Sequence, residues 1–80
     1  MSNAQKKKLK SGEIVALTEL PPGFIDDLPV EDQQAITEIV GRPIVFNGYD
    51  EIGRAELQFT SRDGNLHFIF INPKFITAAN

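Results

Sequence analysis

Hydrophobic and polar positions along this chain repeat mainly with a period of two. The clearest run is Ala55–Thr60, where Ala55, Leu57 and Phe59 alternate with Glu56, Gln58 and Thr60, as in a strand buried on one face and wet on the other. Earlier, Glu13–Thr18 is rich in β-branched and apolar residues and lies between Gly12 and the breaker Pro21-Pro22-Gly23, which predicts a first strand. Ile44-Val45-Phe46 opens a second strand toward Asn47-Gly48-Tyr49, with Gly48 marking a bulge or bend, and Asp50-Glu51-Ile52-Gly53 is the turn into the Ala55 strand. Arg62-Asp63-Gly64-Asn65 then reads as a tight hairpin, because Asp-Gly supplies the positive φ that a short turn needs. The returning strand Leu66–Ile71 has two largely apolar faces, Leu66, Phe68, Phe70 and His67, Ile69, Ile71, which predicts a central strand covered on both sides. Asn72-Pro73-Lys74-Phe75 is a turn or a single helical turn, and Ile76-Thr77 pairs as a last short strand.

One segment departs from this period. Pro29 supplies the φ favoured at a helix start, and Glu31 and Asp32 complement the positive end of the helix dipole. Ala35, Ile36, Ile39 and Val40 then form one apolar stripe opposite Gln33, Gln34, Thr37 and Glu38. The pattern predicts an amphipathic helix over Pro29–Val40, ended by a left-handed Gly41 and barred from continuing by Pro43. Between the first strand and this helix, the loop Pro21–Leu28 places Phe24 and Ile25 beside Asp26-Asp27, and Phe24 or Ile25 is expected to fold back over the core as a lid. Five short strands with one apolar face each are satisfied most economically by closure. The predicted fold is therefore mainly β: a five-stranded antiparallel barrel with one short helix inserted after the first strand, spanning residues 11–77 behind residues 1–10, which are expected to be a disordered basic arm or a tag.

The segments Gly12-Glu13-Ile14-Val15, Gly48-Tyr49-Asp50 through Ala55–Phe59, and His67–Ile76 together resemble a Src-homology-3-like barrel. The final third, a strand ending in a Pro-containing turn before a closing apolar strand, is similar to the small barrels of the Mind bomb repeat and of nitrile hydratase beta-type subunits. Short bacterial proteins with a Leu28-Pro29, Asp32-Gln33, Gly48-Tyr49-Asp50 pattern look alike too. The resemblance covers roughly residues 12–76 and implies the barrel and a general interaction role without naming a ligand. Polyproline-binding members present a Tyr and Trp shelf, whereas this chain has one Tyr and no Trp, and its helix stands where those members carry a groove-lining loop.

Composition narrows the function classes. With 80 residues there is room for one domain, and with no cysteine neither disulfides nor thiolate metal ligands can support it, so burial must. The absence of cysteine and of a secretory h-region fits a cytoplasmic protein, and no apolar run is long enough for a membrane helix. The net charge of −3 is unevenly spread. Lys6, Lys7, Lys8 and Lys10 make the arm basic, while from Ser11 onward four bases against all eleven acids leave the body at −7. Such a body repels phosphate, so nucleic acid is an unlikely partner for it.

Candidate chemistry is sparse. His67 is the single histidine and has no assignable carboxylate partner, which predicts a strand histidine packed partly against the barrel with one ring nitrogen bonded. One His without Cys cannot make a zinc site, and Asp26-Asp27, Glu31-Asp32 and Asp50-Glu51 lack calcium-loop spacing. No nucleophile elbow and no phosphate-cradling glycine run is present. The expectation is a non-catalytic module without metal or cofactor, a monomer or weak oligomer that binds a protein partner through Phe24, Tyr49, Asp50, Glu51 and His67. Two alternatives are nucleic-acid or ribosome association through the lysine arm, and an accessory role in a larger enzyme.

Overall fold

The computed structural model describes residues 9–79. The elements run β1 (Ile14–Leu17), α1 (Val30–Glu38), β2 (Ile44–Tyr49), β3 (Ala55–Thr60), β4 (Leu66–Ile71) and β5 (Ile76–Ala78), with a single 3₁₀ turn at Pro73–Phe75 before β5. The fold is mainly β with one helix, and all strand pairs are antiparallel in a single sheet of order β4-β3-β2-β1-β5. β4 and β5 are the two edges. No helix of the described residues is long and apolar enough to cross a membrane. The lysines at positions 6–8, and with them the arm-based nucleic-acid reading, lie outside the described residues. Leu9 and Lys10, assigned to the arm from sequence, touch the body: Leu9 packs partly against the core, and the Lys10 N–H donates to Glu13 Oε1 at 2.7 Å.

The period-two pattern decides which face is dry. Val15 and Leu17 of β1, Ile44 and Phe46 of β2, Ala55, Leu57 and Phe59 of β3, and Ile69 and Ile71 of β4 meet in one cluster with Ala35, Ile36 and Ile39 of α1. Val15, Leu17, Phe46, Leu57 and Ile71 are fully enclosed, and among the described residues no polar one is buried. Ile76, Phe75, Phe24 and Ile25 pack against this cluster while remaining partly exposed, so both loop residues fold back, as expected of a lid.

The junctions follow local chemistry. Between β2 and β3 the register advances from Phe46↔Leu57 to Gly48↔Glu56, so Asn47 is the extra residue of a bulge. Its amide Nδ2 donates to Glu56 Oε2 at 3.3 Å and Gln58 Oε1 at 3.1 Å, and Gly48 beside it has φ 145°. The next turn is held by Asp50, whose Oδ1 accepts the N–H of Ile52 at 3.0 Å and of Arg54 at 2.8 Å. At the β3–β4 hairpin the Ser61 N–H donates to Asn65 O at 2.9 Å, and Gly64 takes φ 87°. Asn72 Oδ1 accepts the Lys74 N–H at 2.9 Å and so opens the 3₁₀ turn into β5.

Two expectations are corrected. β4 is an edge strand and not a central one, and its outer face is uncovered: Leu66 is 53%, Phe68 50% and Phe70 39% exposed. An apolar residue on both faces is compatible with a doubly covered strand, but α1, the one helix among the described residues, packs on the inner face and leaves the outer residues of β4 about half-exposed. The helix also ends at Glu38, short of Val40, and Gly41 is not its immediate cap. Val40 makes a parallel bridge to Leu17, and the Gly41 N–H donates to Leu17 O at 3.0 Å, so β1 captures the backbone that would have continued the helix.

These placements predict different costs for two substitutions from the same alternating pattern. Leu57→Ala, which empties a fully enclosed site, should cost about 2–5 kcal/mol in denaturant unfolding, whereas Phe68→Ala should cost under about 1 kcal/mol. A Cβ on Gly48 would have no heavy atom within 4 Å, so Gly48→Ala should cost only the backbone strain of its φ, about 1–3 kcal/mol by the same measurement.

Candidate functional site

The features with recognition potential gather where α1 and its preceding loop face β4. A groove of about 340 Å³ lies between Phe24 and Leu28 on the loop side and Arg54, Phe68 and Phe70 on the sheet side. Buried Ile36 and Ile69 line its interior, with Asp32 and His67 at the helix end. Arg54 is held in place from two directions. Its Nε lies 2.6 Å from Asp50 Oδ2, and its guanidinium carbon lies 5.3 Å from the Phe70 ring centroid, a cation–π distance.

A second, polar cleft of about 230 Å³ adjoins the groove and shares Asp32 and His67 with it. Glu31, Asp32, Glu38 and Asp63 line it with a single partly neutralising cation, Arg62, whose Nε lies 3.3 Å from Glu38 Oε1. His67 stacks on Phe59 with centroids 5.1 Å apart and planes 9° apart, and its Nδ1 is 3.9 Å from Asp32 Oδ1. That separation exceeds hydrogen-bond range. Packing, not a carboxylate, therefore sets the ring's orientation, and the bonded ring nitrogen expected from sequence is not found among the described residues.

Ser61, His67 and two aspartates share this cleft, so their geometry bears on nucleophilic chemistry. A serine is activated by a hydrogen bond to a base that a third group orients. Here the Ser61 hydroxyl contacts Asp63 Oδ1 and lies 3.2 Å from Asn65 O, while Asn65 Nδ2 donates to Asp63 Oδ2 at 3.0 Å. These bonds lock the hairpin turn. The set works as turn chemistry, with the Ser61 hydroxyl committed to a carboxylate and a carbonyl. Among the described residues no group of three metal-ligating side chains is gathered.

Of the five residues singled out from sequence, the structure brings Phe24 and His67 together on one groove. Tyr49, Asp50 and Glu51 lie at the β2–β3 junction and do not line it, although Asp50 reaches it through Arg54. Tyr49 packs edge-on against Phe46 at 4.9 Å, and its hydroxyl accepts the Leu9 N–H at 3.4 Å. Glu51 is exposed on the turn. Sequence reasoning missed Leu28, Asp32, Arg54, Phe68 and Phe70. The signal for the two phenylalanines was present in the doubly apolar strand, which fits an uncovered edge as well as a covered centre.

Two carboxyls are displaced from the ordinary aspartate range. Partial burial pushes Asp50 up, but the Arg54 N–H, the Arg54 guanidinium and the Ile52 N–H outweigh it and leave the group lowered. Asp63 is lowered by the Ser61 hydroxyl and then the Asn65 N–H. A folded-state pKa below the unfolded one contributes stability above the unfolded value, and that contribution is lost as pH falls through the folded value. Urea midpoints should therefore hold steady from neutrality to about pH 5 and fall below about pH 4. Asp50→Asn should lower the midpoint at neutral pH and flatten that acid limb; an unchanged limb would remove Asp50 from the account.

No protein-family model, curated protein or solved structure matches this chain.

Proposed function

We propose that this chain is a non-catalytic protein-binding module, a Src-homology-3-like barrel that docks an extended partner segment in the groove between the Phe24–Leu28 loop and β4. The barrel reading is supported by β4 and β5, edges that do not pair with each other, contributing to one interior: Ile69 and Ile71 come from β4, and Ile76 comes from β5, against the same cluster. The observation that carries the binding reading is the groove itself. Its walls are aromatic and aliphatic side chains left partly exposed, and it opens beside an edge strand.

The partner's chemistry follows from the surroundings. Phe24, Leu28, Phe68 and Phe70 favour apolar side chains, and the adjoining cleft with four carboxylates and one arginine favours a Lys or Arg near one end of the segment. The charge of −7 on the body from Ser11 onward steers the same basic segment toward it. The reaction-bearing side chains are committed to the turn or stacked in the wall, which supports recognition over turnover.

Selection from a display library of random peptides tests this. Enriched sequences should combine two spaced apolar residues with a Lys or Arg, and their binding should shift the amide resonances of Phe24, Leu28 and Leu66–Phe70. Phe24→Ala, at a partly exposed position, should weaken the selected peptides about fivefold or more while the chain stays folded. Enriched peptides that map to another face, or that bind Phe24→Ala with full affinity, would refute the assignment.

A further inference from the structure

β4 is the longer of the sheet's edges, six residues against three in β5, and it lacks the devices that keep an edge from pairing. It contains no Lys, no Pro and no acid, and it pairs with β3 through six successive residues without a bulge. The Ser61 N–H bond to Asn65 O sets the alternation of that ladder. His67, Ile69 and Ile71 exchange backbone bonds with β3, so the N–H and C=O groups of Leu66, Phe68 and Phe70 point away from it. Among the described residues no other backbone group bonds them.

We propose that this edge pairs antiparallel with the same edge of a second copy, about a two-fold axis through Phe68. In that register Phe68 faces its own counterpart and Phe70 faces Leu66 of the second copy. All three outward-pointing residues then fall in hydrogen-bonded pairs at once, and a shift of two residues leaves one unpaired on each copy. Self-complementarity of this kind is what a two-fold interface requires. Charge permits this occupant at this strip. The full chain carries a net −3, which opposes self-association elsewhere, whereas β4 contains no acid and sets no carboxylate against its counterpart. Pairing also joins the exposed Leu66, Phe68 and Phe70 side chains of both copies into one cross-strand cluster on the outer face. A single strand pair buries less than the roughly 1,600 Å² of a standard stable interface, so the dimer exchanges with monomer over an accessible concentration range.

The test uses the isolated full chain and needs no partner, so its failure leaves peptide docking in the groove standing. Sedimentation equilibrium from about 1 µM to about 1 mM should show the mass rising from that of the 8.9 kDa chain toward twice that value. Amide hydrogen exchange at Leu66, Phe68 and Phe70 should slow as concentration rises, while the already paired amides of His67 and Ile69 stay unchanged. Phe68→Lys, a substitution at a half-exposed position, should raise the half-dimer concentration at least about tenfold by placing two ammonium groups on the axis. A chain that stays monomeric at 1 mM overturns the proposal. So does a dimer whose Leu66, Phe68 and Phe70 amides exchange independently of concentration, or one that Phe68→Lys leaves intact.

Discussion

Everything in this molecule depends on one dry face. With no cysteine, the chain has no covalent staple, and the described residues hold no metal-ligating cluster, so the enclosure of Val15, Leu17, Phe46, Leu57 and Ile71 must offset the entropy of ordering the rest. The helix contributes to that same face through Ala35, Ile36 and Ile39, and the Pro21–Leu28 loop adds Phe24 and Ile25 at its margin. A short, acidic sheet with one helix can be stable because, among the described residues, no polar side chain is buried in the interior.

With α1 on the inner face, no helix among the described residues covers the outer one. At β3 the sequence answers this with polar residues, Glu56 and Gln58, which also engage Asn47 at the bulge. At β4 it does not, and aromatic side chains stand in solvent with only Arg54 lying over Phe70. A surface of that kind, next to a groove and a strip of unpaired backbone, is where recognition is to be sought. The acids around it act on which partners approach, since long-range repulsion disfavours phosphate and the local carboxylates favour cations.

Much of the fold was legible in the residues because period and turn chemistry are local properties. The alternation of Ala55–Thr60, the Asp63-Gly64 hairpin, the bulge beside Gly48 and the turn at Asp50 all follow from neighbours a few positions away, and all are found. The position of β4 was not legible, because whether a doubly apolar strand is covered depends on where a helix from elsewhere in the chain packs. The helix end was misjudged for a related reason: Leu17 competes for the backbone at Val40 and Gly41, and no local signal announces that competitor. The site was half legible. Phe24 and His67 stand out as an aromatic in an acidic loop and a lone imidazole, but their meeting with Arg54, Leu28 and Asp32 is a product of topology.

Strand order carries a further consequence for how the chain is made. β1 lies between β2 and β5, and its register couples Val15 to Ala78 and Leu17 to Ile76, partners from opposite ends of the described chain. During synthesis the β2-β3-β4 meander can assemble from neighbours as it leaves the ribosome, whereas β1 has to wait for β5, which is translated after the meander. Until then one flank of β1 is a vacant pairing site on a nascent chain, and it is filled only when three residues, Ile76–Ala78, arrive to fasten the two flanks of the described fold together.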